Sequence, residues 1–95
     1  MIEKRQTVME ELQRRRAEID KITEGIVELI ARRKRLVLEI KALKRNNGLG
    51  VIDVKRHEEM VRKARYSAER EGVDPNVIER IIWVLIEYGI RLQEE

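Results

Sequence analysis

The sequence contains no cysteine and no phenylalanine, and it has one proline, one tryptophan and one histidine among 95 residues. Without cysteine it forms no disulfide framework, and without a second histidine no metal site is expected. Aromatic residues make up only 3% of the chain, so its core has to consist of Leu, Ile and Val on amphipathic helices. These absences predict an all-α protein without strands and without a metal site.

The sequence also lacks an apolar run long enough to span a bilayer. Ile2 is followed at once by charged and polar residues, which do not form the apolar region of a signal peptide. We therefore expect a cytoplasmic protein that does not bind a membrane.

The chain also has little net charge, because 21 basic residues are balanced by 18 acidic ones to give a net charge of +3. Such a mixed pattern is typical of a solvated, ion-paired surface. By itself this excess does not indicate a nucleic-acid partner.

The first half of the chain has the pattern of one long helix from Glu3 to Arg45, with no proline and a single glycine. About 40 residues at 1.5 Å each predict a rod of roughly 60 Å. Arg33 occupies one position of its apolar seam. The other seam positions, spaced three and four apart, are Ile19, Ile22, Ile26, Leu29, Leu36, Ile40 and Leu43.

Turn and capping residues predict two shorter helices in the second half. Residues 46–50 form a C-cap and turn cluster, and Asp53 is a suitable N-cap for a helix over residues 54–71. Gly72 suits a C′ position, while Asp74 and Pro75 suit the N-cap and first position of a third helix that runs almost to Glu95. We expect one helical domain over residues 1–95.

The two shorter helices span roughly 27 to 30 Å each, about half the length of the first. In a monomer, half of the first helix would therefore leave its apolar seam in water. Antiparallel pairing with a second copy removes this exposure, so we expect an intertwined helical homodimer. Gly25 would permit a close crossing of the two long helices, and the alternative is a glycine that is tolerated there at a small cost in stability.

Cations lie where apolar residues are expected on the first helix. Arg33 interrupts the seam, and Lys44 lies about 16 Å further along the same helix. Arg16 is about 42 Å from Lys44, so it reaches the same site only from a partner chain. The alternative for Arg33 is a structural ion pair with a Glu of another helix.

The shorter helices carry comparable exceptions. His57 lies on the inward stripe of the second helix with Met60, Val61, Ala64 and Ala68, and Arg56 lies beside it. Gly89 and Gln93 lie on the apolar stripe of the third helix, whose other members are Ile78, Ile81, Ile82, Leu85, Ile86 and Leu92. His57 could equally be a satisfied structural histidine, and Gln93 a frayed, solvated residue near a helix end. Taken together, these side chains indicate a cavity lined by cations and one neutral amide, suited to a small polyanion.

In its spacing the chain resembles the all-α AroQ-type chorismate mutases, which are intertwined helical dimers. The family's opening pattern of apolar and charged residues is met by Arg16, Ile19, Asp20, Ile22, Ile26, Leu29, Ile30 and Arg33. The later residues of the pattern follow at the family's spacing without a gap, at Lys44, Asp53, Arg56 and Gln93. The resemblance covers the chain from about Leu12 to Gln93.

The resemblance implies conversion of chorismate to prephenate without a cofactor. It implies that Arg33, together with Arg16 of the partner chain, binds the two carboxylates of chorismate. Lys44 and Gln93 would donate hydrogen bonds to the ether oxygen of the breaking bond. The Asp53 backbone would meet the ring hydroxyl, and Arg56 would support the carboxylate end.

Three positions depart from the family's pattern. His57 stands where the family usually has a Glu that contacts the ring hydroxyl, and Gly89 where it commonly has a Ser. Thr23 replaces the pattern's second Asp. None of these removes a cation, so we expect altered affinity at His57 and Gly89 rather than lost chemistry.

Three alternative functions remain open at this point. An isochorismate pyruvate-lyase type enzyme would use a similar cationic site. A helical dimer could bind nucleic acid through the Arg-rich residues 14–16 and 32–35, although the third helix has neither a basic stripe nor an aromatic platform. Docking on another shikimate-pathway enzyme could accompany catalysis.

Overall fold

A computed structural model describes the backbone of residues 2–95 and the side chains of residues 3–95. Within them the chain forms three helices and no strand: α1 (Ile2–Asn46), α2 (Val54–Glu71) and α3 (Pro75–Glu94). The predicted all-α class, with one long and two shorter helices, is confirmed. The helix ends lie within one residue of those expected from the capping pattern.

The predicted capping residues adopt the expected geometry. Asp53 Oδ1 accepts the Arg56 backbone N–H at 3.0 Å, and Asp74 Oδ1 accepts that of Asn76 at 2.9 Å. Gly72 is left-handed with φ +70, and the next amide, of Val73, donates to the Ala68 carbonyl at 2.8 Å. This pairing is a Schellman motif, in which a glycine at positive φ turns the chain away from the helix.

Residues of the chain group into two units, Met1–Arg33 and Lys34–Glu95. In the first unit, the described residues are all part of α1. Its apolar side chains Ile19, Ile22, Ile26 and Leu29 are 52–64% exposed. Glu11 forms ion pairs with Arg14 and Arg15 on the surface of this helix.

The second unit contains the end of α1 together with α2 and α3. Its buried apolar residues are Val37, Ala68, Ile86 and Leu92, one or more from each helix. Arg65 of α2 connects to α3 through hydrogen bonds to Asn76 and Glu79 at 3.1 and 3.0 Å. The inward stripe predicted for α2, which begins at His57, is half-buried to buried along its length.

One residue of the predicted apolar stripe of α3 departs from expectation. Ile81 is 48% exposed, whereas Ile86 and Leu92 are buried. At 100° per residue Ile81 and Ile86 lie at opposite edges of this stripe, and of these two residues only Ile86 is buried within the chain. No helix among the described residues combines the length and apolarity needed to cross a membrane.

Candidate functional site

Lys44, near the end of α1, makes the polar contacts that define the candidate site. Its ammonium donates to the Val51 carbonyl at 2.9 Å and to Gln93 Oε1 at 3.1 Å. The side chains of Lys44 and Gln93 are 49 positions apart in sequence, and both are half-buried. The structure thus brings together the two residues that the resemblance assigns to the same substrate oxygen.

Gln93 is a half-buried, hydrogen-bonded residue rather than a solvated one. Because an ammonium only donates, the amide oxygen of Gln93 has to face Lys44. Its Nε2 group then points to the Gly89 carbonyl, 3.3 Å away, and donates to it. Gly89 itself is buried, and its carbonyl lies beside the Gln93 side-chain amide on the third helix.

The turn after α1 supplies the second acceptor for Lys44. Gly48 has φ +67, the Leu49 amide donates to the Lys44 carbonyl at 2.8 Å, and the Gly48 amide to that of Arg45 at 3.5 Å. These contacts form a second Schellman motif, which reverses the chain at the end of the helix. The reversal carries Val51 back to the Lys44 ammonium.

A cleft of about 230 Å³ lies at this cluster. It is smaller than the roughly 300–1,000 Å³ typical of drug-sized pockets, which suits a small metabolite. Of the described residues that line it, three are cations and none is a carboxylate, so the cleft favours an anionic ligand. It is lined by Lys41, Lys44, Arg45, Leu49, Val51 and Gln93.

Lys41 is a cleft residue that the sequence analysis missed. Its ammonium donates to the Leu92 carbonyl at 3.1 Å, and its side chain is half-buried. The signal was present, because Lys41 precedes Lys44 by three positions and therefore lies on the same face of α1.

The start of α2 positions three further predicted site residues. Asp53 caps the helix, and its carbonyl accepts the His57 amide at 3.1 Å. Arg56 is exposed and His57 is half-buried. Arg56 Nη1 donates to Glu59 Oε1 at 3.2 Å, while Lys63 donates to the same oxygen at 2.7 Å.

Glu59 is therefore a carboxylate shared by two cations. The hydrogen bond and charge of Lys63, with smaller effects of Arg56 and Arg62, hold the pKa of the Glu59 carboxyl below its usual value of 4.5. Glu59 remains ionised at neutral pH and restrains the Arg56 guanidinium. With five N–H donors, Arg56 can still bind an anion while paired in this way.

The two remaining predicted site residues, Arg16 and Arg33, belong to the first unit. Arg16 is exposed and Arg33 is half-buried. Their predicted roles at the carboxylates of a substrate stay predictions.

Comparisons with known proteins point to one family. The family model for chorismate mutase type II matches residues 15–94. The chain is 30% identical over 88 residues to a chorismate mutase of Methanocaldococcus jannaschii, a match that covers 93% of this chain and 89% of that protein. It is 31% identical over 80 residues to a bifunctional chorismate mutase/prephenate dehydratase of Buchnera aphidicola, covering 84% of this chain.

Some relatives are much longer than this chain. The match spans 21% of the Buchnera protein and 20% of a T-protein of Haemophilus influenzae, which is 31% identical over 74 residues, or 78% of this chain. The family model nevertheless covers most of the chain, including Lys44, Asp53, Arg56 and Gln93. By this match the chain belongs to the chorismate mutase type II family.

Proposed function

We propose that this protein is a chorismate mutase, an isomerase that converts chorismate to prephenate in phenylalanine and tyrosine biosynthesis. Membership of the family supports the activity. The observation that carries the mechanism is the contact of Lys44 with Gln93, 3.1 Å apart at the wall of a cationic cleft.

The reaction rearranges one molecule, breaking a carbon–oxygen bond while a carbon–carbon bond forms. It needs no nucleophile and no redox step. A protein accelerates it by holding the flexible dianion in a reactive conformer, and such orientation can contribute several kcal/mol. Guanidinium groups suit this task because each binds a carboxylate through two parallel hydrogen bonds.

Negative charge develops on the ether oxygen as its bond stretches. Donors fixed near that oxygen stabilise the transition state more than the substrate. Of the three ammonium protons of Lys44, two are directed at the acceptors Val51 and Gln93, which leaves one for a ligand. The Gln93 amide directs one of its two N–H groups at Gly89 and retains the other.

The carboxylates of chorismate are proposed to bind Arg33 and, from a second copy of the chain, Arg16. In this proposal the protein is an intertwined homodimer with shared active sites. The 52–64% exposure of Ile19, Ile22, Ile26 and Leu29 supports a partner, because apolar side chains in such a row are stabilised by burial.

The positions around the ring hydroxyl are proposed to be Asp53, through its backbone, and His57, with Arg56 supporting the carboxylate end. Imidazole can donate or accept a hydrogen bond, so His57 can replace part of the contact made by the family's usual Glu. Gly89 offers no hydroxyl, so the carboxylate contact of the family's usual Ser is lost at this position.

The decisive experiment is a direct assay of the purified protein. We expect loss of chorismate absorbance together with the appearance of prephenate. Isochorismate is assayed in parallel, since a pyruvate-lyase would release pyruvate from it and leave chorismate unchanged. Absence of prephenate from a folded, dimeric preparation would refute the proposed activity.

A further inference from the structure

Two lysines of α1 that are three positions apart contact two adjacent residues at the end of α3. Lys44 binds the Gln93 side chain at 3.1 Å, and Lys41, three positions earlier, binds the Leu92 carbonyl at 3.1 Å. Residues three apart on a helix share a face, so both ammonium groups approach α3 from the same side.

The Leu92 carbonyl lies in the last turn of α3, which ends at Glu94. Carbonyls in the last turn lack an amide donor further along the helix and carry the negative end of the helix dipole. An ammonium is a suitable partner for such a carbonyl, both as a donor and as a positive charge. Lys41 is half-buried and Leu92 is buried, so this contact is partly shielded from solvent.

From this arrangement we propose that Lys41 is a positioning residue, which fixes the last turn of α3 and so holds the Gln93 side chain against Lys44. The end of a helix frays readily, and a side chain on it samples several rotamers unless its backbone is restrained. Restraining Leu92 restrains the adjacent Cα of Gln93. The catalytic part of this inference rests on the proposed function, whereas the structural part does not.

The test compares Lys41→Met, which keeps the aliphatic length and removes the donor, with Lys41→Arg, which keeps a donor and the charge. The matched control is Lys34→Met, which removes the same charge from an exposed position on the same helix within the same unit. Lys41→Gln, polar but shorter, replaces Lys41→Met if that variant does not fold. Circular dichroism and the melting temperature establish folding for each variant.

The first measurement needs no substrate. In Lys41→Met, the rate of backbone amide hydrogen exchange in residues 90–94 should rise by about fivefold or more, because the last turn of α3 opens more often. The Gln93 side-chain amide resonances should move to the positions of a solvated amide. Lys41→Arg should restore both signals, and Lys34→Met should leave both as in wild type.

The second measurement is catalytic. Lys41→Met should lower kcat by about five- to tenfold and change KM by less than about twofold, because the donors of the transition state are misplaced while the carboxylate contacts stay intact. Unchanged exchange and unchanged Gln93 resonances would overturn the proposal. A higher KM at unchanged kcat would do so as well, since it would indicate direct binding of substrate by Lys41.

The two proposals fail in different ways. If the wild-type protein produces no prephenate while Lys41→Met still frees the Gln93 side chain from Lys44, the positioning role holds and the proposed function does not. If the wild type is active and Lys41→Met loses activity without any change at Gln93, the proposed function holds and the positioning role is wrong.

Discussion

At the scale of single residues, Lys44 combines a structural and a chemical task. Its ammonium donates to the Val51 carbonyl of the turn after α1 and to Gln93 Oε1 of α3, at 2.9 and 3.1 Å. Lys44 therefore connects the two sides of the cleft, and its third ammonium proton remains available to a ligand. No other described lysine side chain contacts both the turn and a polar side chain of α3.

Replacing Lys44 by Ala should lower kcat by about a hundredfold or more, the usual effect of removing a donor that stabilises developing negative charge. KM should change much less. Steady-state kinetics on chorismate provide the measurement, with Lys34→Ala as the control for loss of a charge from α1. Wild-type turnover in a folded Lys44→Ala protein would remove this residue from the mechanism.

The stabilisation that the Glu59 carboxylate contributes to the fold should depend on pH. Its pKa is lowered by Lys63 in the folded protein, so the stabilisation from this carboxylate is complete above its usual value of 4.5. It is lost as the pH falls below 4.5 and through the lowered folded pKa, because the carboxylate is then protonated in both states.

The melting temperature of Glu59→Gln should accordingly fall below that of wild type at neutral pH and converge with it under acid conditions. The difference should be small, as Lys63 and Arg56 are largely exposed. Thermal melts at several pH values measure it, with Glu58→Gln as the matched control. A difference in melting temperature that persists unchanged at acid pH would show that the ion pairs of the Glu59 carboxylate are not its cause.

At the scale of elements, the Schellman turn that ends α1 decides whether Val51 reaches Lys44. Gly48 has φ +67, where a side chain costs about 1–2 kcal/mol. An added Cβ meets no atom within 4 Å at Gly48 or at Gly50, so steric contact is not the issue at either glycine. Of these two glycines, only Gly48 has a backbone conformation that L side chains rarely adopt.

Gly48→Ala should therefore destabilise the protein by about 1 kcal/mol, whereas Gly50→Ala should be close to neutral. Urea unfolding of the two variants gives the comparison. If the strained turn relaxes and withdraws Val51, Gly48→Ala should also lower kcat. Equal stability of the two variants would show that the turn does not depend on left-handed geometry.

At the scale of the whole molecule, the proposed shared site predicts complementation between two inactive proteins. Arg16→Ala and Arg33→Ala should each lose most activity as pure dimers. In a mixed dimer, one site receives both intact arginines and the other receives neither. Random 1:1 mixing should therefore recover about a quarter of wild-type activity, given a symmetric two-chain assembly.

The mixing experiment requires proof that the chains exchange. Two distinguishable tags and native mass spectrometry show the mixed dimers, and each variant mixed with itself serves as the control. If mixed dimers form and remain inactive, Arg16 and Arg33 do not act in one site across two chains.

Local patterns in the sequence were sufficient for the helices and their ends. Asp53, Gly72, Asp74 and Pro75 act within a few residues of themselves, so their roles follow from position and side-chain chemistry alone. The half-buried His57 stripe of α2 likewise follows from helical periodicity. Periodicity assigns Ile81 and Ile86 to one apolar stripe, but it does not indicate that of these two residues only Ile86 is buried within the chain.

Sequence patterns were sufficient to predict an all-α chain of three helices, the order of Lys44, Asp53, Arg56 and Gln93, and the chorismate mutase family. The contacts between helices were needed to show that Gln93 is hydrogen-bonded rather than solvated, and that Lys41 provides a second ammonium at the end of α3. Both facts depend on contacts across about 50 positions of sequence, which periodicity and capping rules do not report because those rules describe neighbours along one helix.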